Sequence, residues 1–326
     1  MPTVVRILLT GASGYLGQHL LNHFVQSPPI TDSDVMYQIT ALYHKAEHFS
    51  KATEAITAKH IMIVPKQCNL VDYNEGDAFD VCIHTAAIAN IRVCQNDPAF
   101  AEAINVPTKF FEATKNIPMI ALSTDQVYNG KQTVDPNDAS TFYQEATAKP
   151  DPLNVYAQTK LKMEETLKAM RPTANTYVLR SSIILGPKAP IAPEDAHDTF
   201  LHFCATRNNQ ETDLWVNEYR TVVSVRHACH IIHWMVQQNM PDRTCAKGEF
   251  HIFNLGGNLR VNRLDMAKAV FEHFGFESNG ILKAADQTSP TVPLDISMDC
   301  SSLAKFTGIV HEPATLQGLM ELVFPK

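Results

Sequence analysis

One stretch near the amino terminus constrains the fold more than any other. The apolar run over residues 4–9 leads directly into Thr10-Gly11-Ala12-Ser13-Gly14-Tyr15-Leu16-Gly17. The run reads as a buried parallel strand, and the chain then turns on glycines and restarts as a helix over residues 15–25. Gly11 permits the tight turn, Gly14 lets the backbone approach a pyrophosphate, and Gly17 lets helix and strand pack closely. The helix start offers free N–H groups and a positive dipole end to phosphate, around Ser13, Tyr15 and Leu16. A glycine triplet alone is weak evidence. Placed between a strand and a helix at the head of the chain, it reads as a dinucleotide fingerprint.

Strands and helices then alternate. Strands are expected at 37–43, 60–64, 80–87, 117–122 and 177–180, with helices at 98–115 and 154–170. This order implies an α/β fold, a Rossmann-type doubly wound parallel sheet. Ligands of such sheets sit outside the carboxyl ends of the strands, so Thr10, Ala86 and Thr124 are expected to face one crevice. Asn69 and Leu70, after the third strand, are expected near an adenine. Ala86 and Ala87 would pass close to phosphate and ribose, and Ser182 follows the sixth strand. Folds that prefer an unphosphorylated ribose usually carry an acid at the end of the second strand. Here Tyr43-His44-Lys45 stands there instead. With no carboxylate to repel a 2′-phosphate and His44 or Lys45 able to pair with one, the expected cofactor is NADP(H), with NAD(H) the alternative.

Residues 1–186 are assigned to the dinucleotide-binding domain, with later contributions expected from about 219–250. Residues 187–326 form a smaller mixed α/β substrate-binding part, with strands at 220–225 and 250–255 and helices at 199–206, 226–238 and 262–274. The formal net charge of −7 gives no hint of nucleic acid or anionic membrane as a partner. Seven scattered cysteines, without a Cys-x-x-Cys pair, fit reduced thiols in the cytoplasm. The early first strand leaves no room for a signal peptide.

The chemistry is carried by Tyr156-Ala157-Gln158-Thr159-Lys160. On a helix Tyr156 and Lys160 lie one turn apart on one face. A phenol can exchange a proton with a carbonyl oxygen, and a nearby ammonium would lower its pKa toward neutrality. Lys160 can also bind ribose hydroxyls, and Thr124 can hydrogen-bond a substrate oxygen. Asn105, expected inside the helix 98–115, is either a local kink holder or a solvent-facing residue. His227, His230 and His233 recur at every third residue, but that spacing drifts around a helix, so buried, hydrogen-bonded histidines rather than a metal site are expected.

The Thr-Gly-x-x-Gly-x-x-Gly motif at 10–17, with Thr124, Tyr156, Lys160 and Asn105, resembles the extended short-chain dehydrogenase/reductase family. The stretches 123–130 and 152–161 resemble more narrowly the dTDP-4-dehydrorhamnose reductase group, which includes the regulatory beta subunit of methionine adenosyltransferase. The resemblance implies an oxidoreductase of nucleotide-sugar metabolism in which Tyr156, Lys160 and Thr124 assist hydride transfer to a 4-keto sugar nucleotide. It implies substrate contacts at Asp125, Gln126 and Arg220, no metal, and a homodimer by analogy of fold. A sugar-nucleotide epimerase or dehydratase, or a non-catalytic NADP-binding regulatory subunit with a partner protein, are the alternatives. Residues around 141–149 are additional to that group's pattern and lie near the expected substrate mouth.

Overall fold

The computed structural model describes residues 3–28, 35–56, 58–74, 79–240 and 248–325. The first strand, β1 (Thr3–Thr10), sits mid-sheet with Ile7, Leu8 and Leu9 sealed from solvent. Both faces of β1 are covered from Ile7 on, which is why that end is continuously apolar rather than alternating, while Arg6 before it is exposed and pairs with Asp80. Ile7 and Leu9 belong to the core on one side of the sheet and Leu8 to the core on the other, following the two-residue period of a strand.

The other sheet strands are β2 (Val35–Tyr43), β3 (Ile61–Gln67), β4 (Val81–His84), β5 (Met119–Thr124), β6 (Thr176–Ser181) and a late strand, Phe250–Leu255. All seven are parallel, in the spatial order late strand, β6, β5, β4, β1, β2, β3. The order reverses between β1 and β4, where Ile7 pairs with Val81 and Thr10 with His84. A crevice opens at such a reversal, and Gly11 and Ala86 follow the two strands into it.

The first helix, α1 (Tyr15–Gln26), packs beside the helix Val225–Gln238 on one face of the sheet. The opposite face carries Phe110 and Phe111 together with Met163 and Leu167 of the helix Val155–Met170. Helix Arg263–Phe274, opened by an Asn262–Asp265 capping box, packs in a separate core with Leu185, Leu201, Val222 and Leu319. A small sheet joins Leu259–Val261, Arg220–Ser224 and Ile184–Leu185 there. Chain from beyond residue 186 therefore enters both layers: strand Phe250–Leu255 completes the main sheet and helix Val225–Gln238 covers it.

Element boundaries differ most from the sequence reading at β3, at β4 and in the helix expected over residues 98–115, and β5 runs to Thr124 rather than 122. β3 runs on to Gln67, and β4 stops at His84 rather than 87. The expected helix 98–115 is two helices, Pro98–Asn105 and Thr108–Ala113. Pro107 lies between them and disfavours the helical conformation at the residue before it, which ends the first helix. Six cysteines are free; Cys245 lies outside the described residues.

Candidate active site

The glycine turn is built by close approach. Gly11 has φ +68°, and a Cβ there would stand 2.8 Å from the Ala86 nitrogen. A Cβ on Gly17 would lie 2.2 Å from the Gly11 carbonyl oxygen, so no side chain fits between the turn and α1. Gly14 is looser, with the Gly11 oxygen at 3.2 Å as the nearest neighbour of a Cβ. The Thr10 hydroxyl accepts from the Ala86 N–H at 3.2 Å, and Thr85 donates to the Thr10 carbonyl at 2.7 Å. These bonds close the seam between β1 and β4 just below the crevice.

A cavity of about 770 Å³ lies at that crevice. Gly11, Ser13 and Gly14 form its floor, and His44, Lys45, Asn69, Leu70, Ala86 and Ala87 line its walls. All of these were expected from the sequence. The remaining lining includes Ile88, Phe100, Ile104 and His197, which the sequence reading missed. Phe100 and Ile104 are four apart on a short helix, a spacing that could have suggested one apolar face. His197 comes from a distant loop and carries no local signal.

Among the described residues no carboxylate lines the cavity. A glycine floor, apolar walls and a helix N-terminus fit a dinucleotide. The side chains of Tyr15 and Leu16 pack inward, which leaves their backbone N–H groups at the helix start facing the turn. The Tyr15 hydroxyl donates to the Pro187 carbonyl at 3.0 Å, and Leu16 is buried in the core.

None of the catalytic candidates is among the residues that line this cavity; they gather around the carboxyl end of β5. Thr124 ends β5, and its hydroxyl caps the turn that follows by accepting from the Gln126 N–H at 3.2 Å. The same hydroxyl donates to Asp125 Oδ1 at 3.3 Å and faces the Tyr156 phenol. Burial pushes the Tyr156 phenol well above its ordinary pKa; the Thr124 hydroxyl opposes the shift and the Asp125 charge adds to it. Asn154 starts the helix by accepting from the Ala157 N–H at 2.9 Å and donates to Gln126 Oε1 at 2.9 Å. The strand end and the helix start are thereby tied together.

Lys160 departs from expectation. It is buried, burial lowers its pKa to about 8, and its Nζ contacts Met163 Sδ at 3.2 Å. Among the described residues its one side-chain hydrogen bond is to Met163, and the charge acting on it is that of Glu164. Glu164, one turn on, is committed to a buried ion pair with Arg180 at 2.7 Å and accepts from Ser123 at 2.6 Å.

Asn105 is fully buried and is not solvent-facing. Its Oδ1 accepts from the Ile88 N–H at 2.7 Å, and its Nδ2 donates to the Ile88 carbonyl at 3.2 Å and to Thr159 Oγ1 at 2.9 Å. One amide thus joins the cavity wall to the helix that carries Tyr156 and Lys160.

The expected substrate contacts are largely spent inside the fold. Arg220 is buried and donates to the carbonyls of Tyr219, Leu294 and Pro293 at 2.7, 3.0 and 2.9 Å. It also faces Glu218 at 3.1 Å and Asp125 at 3.8 Å. Acceptors on several sides hold this guanidinium inward, which corrects its reading as a pyrophosphate ligand. Asp125 is buried beside Ser182, also buried; burial raises its pKa, and Arg220 opposes the rise. Gln126 is occupied by Asn154.

Of the three spaced histidines, His233 is buried between His23 Nε2 and the Tyr37 hydroxyl, both at 3.0 Å, while His230 is exposed. His227 is buried with its Nε2 unbonded, so the expectation of hydrogen-bonded side chains fails for that atom. Among the described residues no group of three His, Cys, Asp or Glu side chains is placed to hold a metal ion, and no helix is long and apolar enough to cross a membrane.

Comparison with known proteins places this geometry in a family. The family described as RmlD substrate binding domain matches residues 5–317. The chain belongs to that family. The RmlD-like chain is also 25% identical over 341 aligned positions to "Methionine adenosyltransferase 2 subunit beta" of Bos taurus, covering 98% of this chain and 87% of the relative. Two solved structures share the RmlD-like fold. A dTDP-4-dehydrorhamnose reductase of Bacillus anthracis in complex with NADP superposes with TM-score 0.70 at 16% identity, covering 99% of each chain. A dTDP-glucose 4,6-dehydratase of Streptomyces venezuelae with NAD bound gives TM-score 0.76 at 16% identity, covering 98% of this chain and 95% of that one. The α/β class and the extended short-chain dehydrogenase/reductase resemblance therefore hold.

Proposed function

We propose that this RmlD-like protein is an NADP(H)-dependent reductase of a 4-keto sugar nucleotide. Residues 1–186, with the late strand, would hold the dinucleotide, and the carboxyl-terminal part would hold the sugar nucleotide. The observation that carries the reading is the Thr124 hydroxyl facing the Tyr156 phenol at the carboxyl end of β5. The bound cofactor supplies a hydride to the carbonyl carbon. Tyr156 holds a proton for the oxygen of that carbonyl and releases it as the oxygen becomes an alkoxide. A phenol kept protonated by burial suits this direction, because an alkoxide is a far stronger base than a phenolate. Thr124 orients the oxygen by turning its hydroxyl proton from Asp125 toward it. Lys160 is assigned to ribose hydroxyls, for which the Met163 thioether is a weak acceptor readily replaced. Asp125, the acid a dehydratase would recruit, is engaged by Arg220 and Thr124, which favours the reductase among the family's reactions.

The test is NADPH oxidation with a dTDP-4-keto-6-deoxy sugar, compared between the protein and Tyr156→Phe. The variant should lose about 10²–10⁴-fold in kcat, the usual contribution of a positioned acid, while NADP+ binding is kept. An unchanged kcat would overturn the assignment.

A second reading has its own support in the near full-length match to methionine adenosyltransferase beta subunits and in a Lys160 ammonium whose hydrogen bond is to Met163. On that reading the protein binds NADP(H) and associates with a methionine adenosyltransferase catalytic subunit. Co-elution with such a subunit, together with no turnover of NADPH on any keto-sugar nucleotide, would establish it over the reductase.

A further inference from the structure

The loop that follows β6 is anchored tightly for a surface segment. Residues 187–198 leave the sheet and cross back over α1. The Tyr15 hydroxyl and His19 Nε2 meet the Pro187 carbonyl at 3.0 and 3.2 Å. Gln18, fully buried, accepts from the Ile191 and Ala192 N–H groups at 3.1 and 2.7 Å and donates to the Ala192 carbonyl at 2.9 Å. The same Gln18 amide donates to the Ser13 carbonyl in the glycine turn at 2.7 Å.

Farther along, the Asp195 carboxylate accepts from the N–H groups of His48 and Phe49 at 3.0 and 2.8 Å. Those N–H groups belong to the first turn of the helix Glu47–Glu54, which begins two residues after Lys45. The segment is thus a strap fixed at one end to the glycine turn and at the other to the end of β2. These two places form the floor and one wall of the cavity.

His197 is two residues past the Asp195 anchor, is exposed, and lines the cavity together with Ser13, Gly14, His44 and Lys45. The neighbouring acids are engaged elsewhere: Asp195 caps the helix, and Asp198 pairs with Lys188 at 3.6 Å. Three side chains able to carry positive charge therefore line one cavity from two separate parts of the chain. The end of β2 is where this fold distinguishes a ribose hydroxyl from a ribose phosphate. A phosphate monoester gains most from several donors converging on it.

We propose that His197 is a specificity-determining residue for the 2′-phosphate of the dinucleotide, delivered by the strap to complete a site begun by His44 and Lys45. This rests on the NADP(H) reading above. It adds a residue that no local motif marks and makes the strap's anchors, Gln18 and Asp195, positioning residues for it.

The test uses the full chain and two fragments, 2′,5′-ADP and 5′-AMP, which differ in the 2′-phosphate. Binding is measured by calorimetry and by thermal shift, because a ligand of the folded state raises the melting temperature according to its concentration over its Kd. The intact protein should bind 2′,5′-ADP more tightly than 5′-AMP. In His197→Ala the affinity for 2′,5′-ADP should fall about tenfold, the effect of losing a hydrogen bond to a charged group, with 5′-AMP binding unchanged. His197→Gln, which keeps a donor, should retain part of the preference. Asp195→Ala should reduce it without removing any group that touches the ligand.

An intact protein that binds the two fragments equally would overturn the NADP(H) reading and this inference with it. An intact protein that prefers 2′,5′-ADP, with His197→Ala preferring it just as strongly, would overturn this inference alone. His197 is exposed, so its variants are expected to melt as the parent does without ligand, and that melting curve is the control for folding.

Discussion

At the scale of single residues, the site is held by polar groups that have little freedom to do anything else. Asn105 shows the point most clearly. A buried amide has to place its oxygen and its two N–H donors somewhere. Here the backbone of Ile88 and the hydroxyl of Thr159 take them. Asn105→Ala removes these bonds and leaves the half-buried Ile88 N–H without its acceptor. A buried group left unsatisfied costs about 1–3 kcal/mol, and a half-buried one falls at the low end. The midpoint of urea unfolding should fall accordingly, with the dependence on urea unchanged. Because the amide joins the cavity wall to the helix of Tyr156, the same variant should also bind NADP+ more weakly. A variant as stable as the parent would show that the bridge contributes little.

At the scale of elements, strand, glycine turn and helix form one unit whose glycines are not equivalent. A methyl group at Gly17 would meet the Gly11 oxygen at 2.2 Å and the Ala12 Cα at 2.7 Å, both backbone atoms that cannot step aside. Gly17→Ala should therefore push α1 off β1 and sharply lower the melting temperature. At Gly14 the nearest atom is 3.2 Å away, and the residue lines the cavity. Gly14→Ala should keep the fold, melt within a few degrees of the parent, and lose NADP+ binding, since its methyl occupies space a pyrophosphate needs. If Gly14→Ala binds NADP+ normally, the phosphates do not lie over the turn. The unit was legible in the sequence because every feature of it is local: an apolar run, glycines at set intervals, and a helix start. The features that were not legible depend on chain brought from elsewhere. Arg220 precedes an apolar strand in either reading, and only the fold supplies the Pro293 and Leu294 carbonyls that turn it inward. The spacing of Tyr156 and Lys160 gives a shared helix face but not the partner of either, and Met163 and Thr124 decide that. His197 reaches the cavity through anchors in α1 and after β2 that no local pattern connects.

At the scale of the whole molecule, neutral histidines cement the layers. His23 on α1 and His233 on the helix Val225–Gln238 join their rings at 3.0 Å, and the Tyr37 hydroxyl from the sheet bonds the other nitrogen of His233. Two imidazoles can share a hydrogen bond only if one supplies a proton and the other a lone pair, so the pair cannot be doubly charged and remain bonded. Burial, the other histidines and Arg226 lower His23 to about 3, and burial and His230 lower His233 to about 4. His84, stacked on Phe110 between β1 and the opposite core, is lowered to about 3 by burial and by Lys160 and Arg171. Each of these groups takes up a proton near pH 6.5 when unfolded and only near pH 3–4 when folded. Between those limits the unfolded chain binds more protons, so stability rises with pH. Their contribution is complete above the unfolded value of about 6.5 and is lost progressively as the pH falls below it. The urea midpoint should therefore be steady from pH 8 to pH 7 and drop steadily from pH 6.5 to pH 5, a window above the ordinary carboxylate range. His233→Gln, which keeps a donor and an acceptor at the helix contact, should flatten part of that slope while lowering stability at pH 8. A midpoint that does not move between pH 7 and pH 5 would mean that folding does not hold these histidines neutral.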